Sequence, residues 1–260
     1  MKINQKLINQ FKNQGFLKGK LSLIEIRQIN KIKENIIKIL KKDIKINEKK
    51  NINNFFENFH KHTKKKDLNY LRLKVFNQLN KNKFNISYYN ILSRFIEPIV
   101  GDENVIQKKI NLSIQMPGDS SSLLPVHSDT WAGDSPFEIV AWLPLVDCKK
   151  TQSMFILPKN SKKFSQFKNF VFKNNDQIYS KIKKDVKFIN IKFGEVLIFS
   201  QNLPHGNVVN KEKKTRWSFN ARSKSLMSPY SKKGLIDFFE IVRIKPATES
   251  GLEYEYPKFR

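Results

Sequence analysis

The chain has 260 residues, with 49 Lys and Arg against 23 Asp and Glu, a formal net charge of +26. A hydrophobic fraction of 39% and an aromatic fraction of 12% exclude wholesale disorder, and only 9 Gly and 10 Pro exclude collagen-like and low-complexity chains. The single cysteine, Cys148, excludes a disulfide framework and any multi-cysteine metal cluster, and no apolar run approaches the roughly 18 residues of a membrane span.

The opening stretch MKINQKLINQFKNQG has no apolar core of a signal peptide, so a cytoplasmic protein is expected. Residues 1–104 read as mainly helical. Ile29, Ile32, Ile36, Leu40 and Ile44 recur at steps of three or four with lysines between, the stripe of an amphipathic helix. Residues 51–66 read as a polar, basic loop with a short helix. Two further amphipathic helices are expected at 68–79 and 88–99, and Gly101-Asp102 is a stop signal. From residue 105 the texture changes to strands at 111–116, 137–146, 154–157, 188–192, 195–199, 205–209, 215–222 and 235–244. A basic insertion of helix and loop falls at 159–185 and a tail at 246–260. Short strands between turn signals suggest a β-sandwich or barrel. The expected whole is α+β: one domain over 1–260, with a β-barrel core over 105–245 and the N-terminal helices packed against it.

A net charge of this size ordinarily suggests a polyanionic partner. Only seven of the cations are arginine, however, and the abundance of Lys, Asn and Ile together is what an A/T-rich genome encodes. The distribution carries more information. Between Ile110 and Cys148 there is no Lys or Arg, where about seven would be expected at the chain average. Core strands avoid charge, and so does a site that ammonium groups would disturb.

Four histidines occur, His60, His62, His127 and His205. The first two lie in a basic, Asn-rich stretch and read as solvated. In His127-Ser128-Asp129, an extended backbone turns residues i and i+2 to the same face, so imidazole and carboxylate converge. His205, at the start of the next strand after GEVLIFS, is the remaining histidine of the strand-rich half. Two His and one carboxylate with open positions form the facial donor set of non-haem Fe(II) oxygenases.

The strand from Thr215 to Arg222 alternates cleanly. Arg216, Ser218, Asn220 and Arg222 point one way, and Trp217, Phe219 and Ala221 the other. A polar, cationic inner face suits a barrel that holds an anion. A hairpin through the basic turn 210–214 would pair this strand with 205–209. It would put Arg216 about 10 Å along the barrel from the metal end, a gap that a five-carbon dicarboxylate spans.

On these residues the chain resembles the Fe(II)/2-oxoglutarate-dependent oxygenases of double-stranded β-helix (jelly-roll, cupin-like) fold. H-x-D, a distal His and an Arg eleven residues further on are similar to the phytanoyl-CoA hydroxylase-like branch. The stretch NLSIQMPGDSSSLLPVHSDTWAGDSPFEIVAWLPLVDC looks like a group found sporadically in carbohydrate biosynthesis clusters, related to a streptomycin-biosynthesis oxygenase-like protein. The resemblance covers about residues 105–225. It implies Fe(II) on His127, Asp129 and His205, and 2-oxoglutarate on Arg216 with Ser218. It also implies a small polar contact at Asn207; Gln115 and Trp131 are candidate pocket residues, and Arg222 is a candidate for a substrate contact or for a structural ion pair. O2 would be the other co-substrate, and a sugar or nucleotide-sugar the molecule hydroxylated. Related halogenases carry a small residue in place of the carboxylate, so Asp129 points to hydroxylation or an oxidation derived from it. At 151–164, TQSMFILPKNSKKF departs from the Asn-Gly turn of the relatives. Two other readings compete. Arg216-x5-Arg222 is similar to nucleic-acid demethylases of the same superfamily, although no aromatic platform for a flipped base accompanies it. A non-enzymatic cupin-like metal- or sugar-binding module is the third.

Overall fold

The computed structural model describes residues 5–44, 52–171 and 174–258. The first four residues of the helical part, positions 45–51, two positions of the basic insertion and the last two of the tail lie outside the described residues. The N-terminal part contains α1 (Gln5–Gln14), β1 (Phe16–Lys20), α2 (Leu23–Leu40), α3 (Ile52–Glu57), α4 (Leu68–Leu79) and α5 (Phe84–Val100). The strand-rich part contains β2 (Asn104–Gln107), β3 (Asn111–Gln115), β4 (Ile139–Pro144) and β5 (Phe155–Ile156). It continues through α6 (Lys162–Gln166), α7 (Asn175–Ile182), β6 (Lys187–Phe188), β7 (Glu195–Ser200), β8 (His205–Gly206), β9 (Arg216–Ser225), β10 (Phe239–Arg243) and α8 (Pro246–Glu253).

The stripe on α2 is realised as Ile29, Ile36 and Leu40, all buried, with Lys33 buried among them. A capping box starts the helix: Ser22 Oγ accepts from the Glu25 N–H at 3.3 Å, and Glu25 accepts from the Ser22 N–H at 2.5 Å. Glu25 also pairs with Arg94 Nε at 2.7 Å, which ties α2 to α5.

Every ladder between these strands is antiparallel. The larger sheet runs β1-β7-β4-β9-β2-β10, with β3 also paired to β9, and the smaller runs β6-β5-β8. β1 lies in the segment read as helical, and β2 at the start of the strand-rich part, ahead of the first expected strand. β1 forms because Phe16–Lys20 pairs along the whole of Glu195–Phe199, a partner about 180 residues away that no local pattern reveals. Gly19 is required there, since a Cβ would meet the Phe95 ring at 2.1 Å where α5 crosses the strand.

The β9 alternation holds, and the helices explain its apolar face. Trp217 is buried between Phe56 and Phe59 at 4.9 and 4.8 Å, and Phe219 meets Phe84 at 5.1 Å. One apolar core therefore contains side chains from α2 to α5 together with β1, β4, β7 and β9.

The hairpin expected across 210–214 does not form. β8 pairs with β5 in the smaller sheet, whereas β9 pairs with β2, β3 and β4 in the larger. The buried Asn210 directs this crossing. Its Nδ2 donates to Lys214 O at 2.9 Å and its Oδ1 accepts from the Glu212 N–H at 3.0 Å, folding the turn on itself. His205 and Arg216 thus reach the interior from different sheets, not along one hairpin.

Candidate metal and anion site

The chain brings His127, Asp129 and His205 together, with one ligand atom from each inside a span of 4.8 Å. Backbone pairing does this. His127 N donates to His205 O at 2.9 Å and His205 N to His127 O at 2.8 Å, so the two imidazoles stand side by side with centroids 4.2 Å apart. Asp129 opens a 3-10 turn, Asp129–Ala132, anchored by Ser128 Oγ donating to Gln201 O at 2.9 Å.

The tautomers follow from the neighbours. His127 Nδ1 lies 2.8 Å from Pro125 O, and His205 Nδ1 lies 2.8 Å from Leu203 O. A carbonyl only accepts, so each Nδ1 carries a proton, and Nε2 is the atom that each ring would turn to a metal. Burial, reinforced by the neighbouring His127, pushes His205 down to about 4 and keeps it neutral. Asp129 is held by Arg222, whose Nη2 donates to Oδ1 at 2.8 Å. Arg222 Nε in turn donates to Gln201 Oε1 at 3.2 Å and lies 3.9 Å from Glu138. Glu138 is buried with neither oxygen hydrogen-bonded, and burial, reinforced by Asp134, raises its carboxyl.

Arg216 is buried on the inward face of β9. Burial draws its guanidinium down to about 10, so it stays charged at neutral pH. It donates to Ser113 Oγ at 3.1 Å and Gln152 O at 3.4 Å, its Nε has no partner, and it forms no ion pair among the described residues. Gln115 faces it across the β3–β9 ladder, with its Oε1 unsatisfied, and the Ser218 hydroxyl on the same strand is also without a partner. A buried cation beside unused polar atoms is an anion site in waiting.

His127, Asp129, His205, Arg216, Arg222 and Asn207 all border one cavity of about 1040 Å³. Asn207 supports the His127 side of the cavity: its Oδ1 accepts from the Leu124 N–H at 2.6 Å and pins the loop that leads to His127. Gln115 and Ser218 sit in the strands behind the cavity. Trp131 does not border it; 47% exposed, it stacks on Phe167 with ring centroids 5.4 Å apart. His60 bonds Thr215 Oγ1 at 2.9 Å and His62 packs on Phe55, so neither joins the site. Sequence reasoning missed Gln201, whose main chain and side chain hold Ser128 and Arg222, because a glutamine at a strand end has no pattern of its own. It also missed Lys65, Lys66 and Arg72, which line the cavity from the α4 side.

No family model and no curated protein matches the sequence. Solved structures do match. One is described as a non-heme monooxygenase, the ThoJ–Ni complex, at TM-score 0.53 and 13% identity over 92% of this chain and 84% of that one. HygX from Streptomyces hygroscopicus, with nickel, 2-oxoglutarate and hygromycin B bound, matches at TM-score 0.52 and 12% identity over 90% and 92%. EctD from S. alaskensis matches at 0.56 and 14% over 88% and 79%. This fold is shared with non-haem oxygenases. No helix among the described residues is long and apolar enough to cross a membrane.

Proposed function

We propose that the chain is an Fe(II)- and 2-oxoglutarate-dependent dioxygenase that hydroxylates a small molecule, of sugar or nucleotide-sugar type, in carbohydrate biosynthesis. The two sheets are read as the halves of a double-stranded β-helix, with the site between them. One observation carries the reading: a His, His, carboxylate donor set and a buried arginine without an ion pair among the described residues share one cavity.

The residues fit the group. His127 Nε2, His205 Nε2 and an Asp129 oxygen would hold Fe(II), and Arg216 would fork onto the far carboxylate of 2-oxoglutarate, with Ser218 and Gln115 behind it. When bound, Fe(II) and 2-oxoglutarate supply the oxidising power to hydroxylate a C–H bond with O2, releasing succinate and CO2. The chain supplies geometry. Arg222 orients Asp129, the two carbonyls fix the imidazole tautomers, and Val140, Trp142, Met154 and Phe199 give the cavity apolar walls. HygX, matched in fold alone, is described with nickel and 2-oxoglutarate bound, which is consistent with the same cofactor chemistry here.

The test is succinate formation from 2-oxoglutarate. It should require Fe(II), and Asp129→Ala should abolish it. Undiminished turnover in Asp129→Ala sinks the assignment, and metal binding without any 2-oxoglutarate consumption leaves a non-catalytic cupin-like module instead.

A further inference from the structure

The cavity is far larger than a dicarboxylate needs. At about 1040 Å³ it reaches the upper end of the range for drug-sized ligands, so most of it is left for a substrate. Its charge is lopsided. The bordering residues include five cations, Lys65, Lys66, Arg72, Arg216 and Arg222, and one carboxylate, Asp129. Asp129 is matched by Arg222, and Arg216 faces the dicarboxylate site. Three positive charges remain, all on the short segment that runs from the 3-10 turn Lys65–Asp67 into α4.

Lys65, Lys66 and Arg72 form no ion pair among the described residues. Lys65 donates to the Gly118 carbonyl at 2.7 Å and Arg72 to Asn69 Oδ1 at 2.7 Å, neutral acceptors that orient each head without discharging it. Asp119, on the opposite loop, feels the charge of Lys65 and offsets part of it, which leaves Lys66 and Arg72 without a carboxylate partner among the described residues. Asp119 is buried and accepts from Ser121 N at 2.8 Å, Ser121 Oγ at 2.7 Å and Ser122 Oγ at 2.6 Å. Asp67, within the same segment, does not border the cavity. The strand-rich half adds no cation to this end, since Ile110–Cys148 has none. The helical part therefore brings the positive charge.

We infer that Lys65, Lys66 and Arg72 form the binding wall for a phosphoryl or diphosphoryl group of the substrate, which places its other end at the iron site. The inference rests on the oxygenase reading for what lies at that other end. Three cations outmatch a single carboxylate, whereas a phosphate or diphosphate carries two or more charges and several acceptor oxygens for Lys and Arg donors. Of the two substrate types proposed, the wall selects the phosphorylated one over a neutral sugar.

Isothermal titration calorimetry tests this in EDTA, so that no metal can capture a phosphate. The probes are inorganic pyrophosphate, glucose 1-phosphate, UDP and glucose. Pyrophosphate and at least one of the two phosphate esters should bind, more weakly as salt rises, and glucose should not. UDP or glucose 1-phosphate as the tighter ligand distinguishes a nucleoside diphosphate from a sugar phosphate. Lys66→Gln, at an exposed position, and Lys66→Gln/Arg72→Gln should weaken binding, the double variant by at least about tenfold. Lys184→Gln, an exposed lysine away from the cavity, should leave it unchanged. Failure of all three phosphate probes to bind, or affinity untouched by the double variant, overturns the inference. A single-stranded oligonucleotide that binds more tightly than UDP and loses affinity in the same variants also overturns it, in favour of a polyanion. Because metal and 2-oxoglutarate are absent, none of these results depends on the cofactor assignment, which the succinate assay tests separately.

Discussion

At the scale of single residues, Arg222 has the most connected position in the site. It bridges Asp129 to the buried Glu138 and to Gln201 and also borders the cavity, so the ion pair that its sequence position allows is present beside a face open to a substrate. Outer partners of this kind typically change metal affinity by about 10- to 100-fold when removed. Arg222→Met is therefore expected to weaken Ni(II) binding by about that factor in a competition titration. The variant also removes the guanidinium beside Glu138, and Arg222→Met/Glu138→Gln should regain stability without regaining metal affinity. Recovery of both together would show that Arg222 only balances charge.

At the scale of elements, the site depends on a close approach of backbone to backbone. β8 carries His205, and the loop before His127 lies flat against the next residue, Gly206. A Cβ there would meet Leu124 O at 2.8 Å and Pro125 O at 3.0 Å. Those are backbone atoms, and Pro125 O is the acceptor that fixes the His127 tautomer. Gly206→Ala should push the loop away and lower metal affinity by more than about tenfold while leaving most of the fold intact. Calorimetry with Ni(II) alongside thermal unfolding separates the two effects. An alanine variant that binds metal as the wild type does would show that the loop can yield. The same scale explains what was legible. The helices at 68–79 and around 88–99 and the strands at 111–116, 137–146 and 195–199 have strong local periodicity and appear where expected. β1 and the parting of β8 from β9 have no local signal, because each depends on a partner distant in sequence.

Across the whole molecule, the N-terminal helices and the sheet share one core, and Lys33 marks the seam. It is buried beneath Phe56 and Phe193 and donates to Asn53 and to Leu145 O at 2.9 Å. Burial, opposed by the charge of Glu57, lowers it from 10.5 to about 8. Between those values the unfolded chain holds a proton that the folded chain has released, so stability from this group rises with pH across that window and is flat on either side. Denaturant midpoints measured from about pH 7 to 11 should climb more steeply in the wild type than in Lys33→Met, since the general relief of a +26 charge is common to both. Equal slopes would mean that Lys33 stays protonated in the fold.

What the sequence determined by itself was chemistry that is local in the chain. His127 and Asp129 share a face because an extended backbone repeats every two residues, and Arg216 points inward opposite Trp217 for the same reason. The absence of Lys and Arg from Ile110 to Cys148 marked the segment that brings His127 and Asp129 to the cavity. Tertiary structure decided the rest. It joined His205 to His127 by pairing β8 with the smaller sheet. It gave Arg222 to Asp129, left Trp131 outside the cavity, and set Lys65, Lys66 and Arg72 from the helical half on its open wall. Such contacts join residues dozens of positions apart. Periodicity reports only which face of its own element a side chain occupies, and packing alone chooses what that face meets.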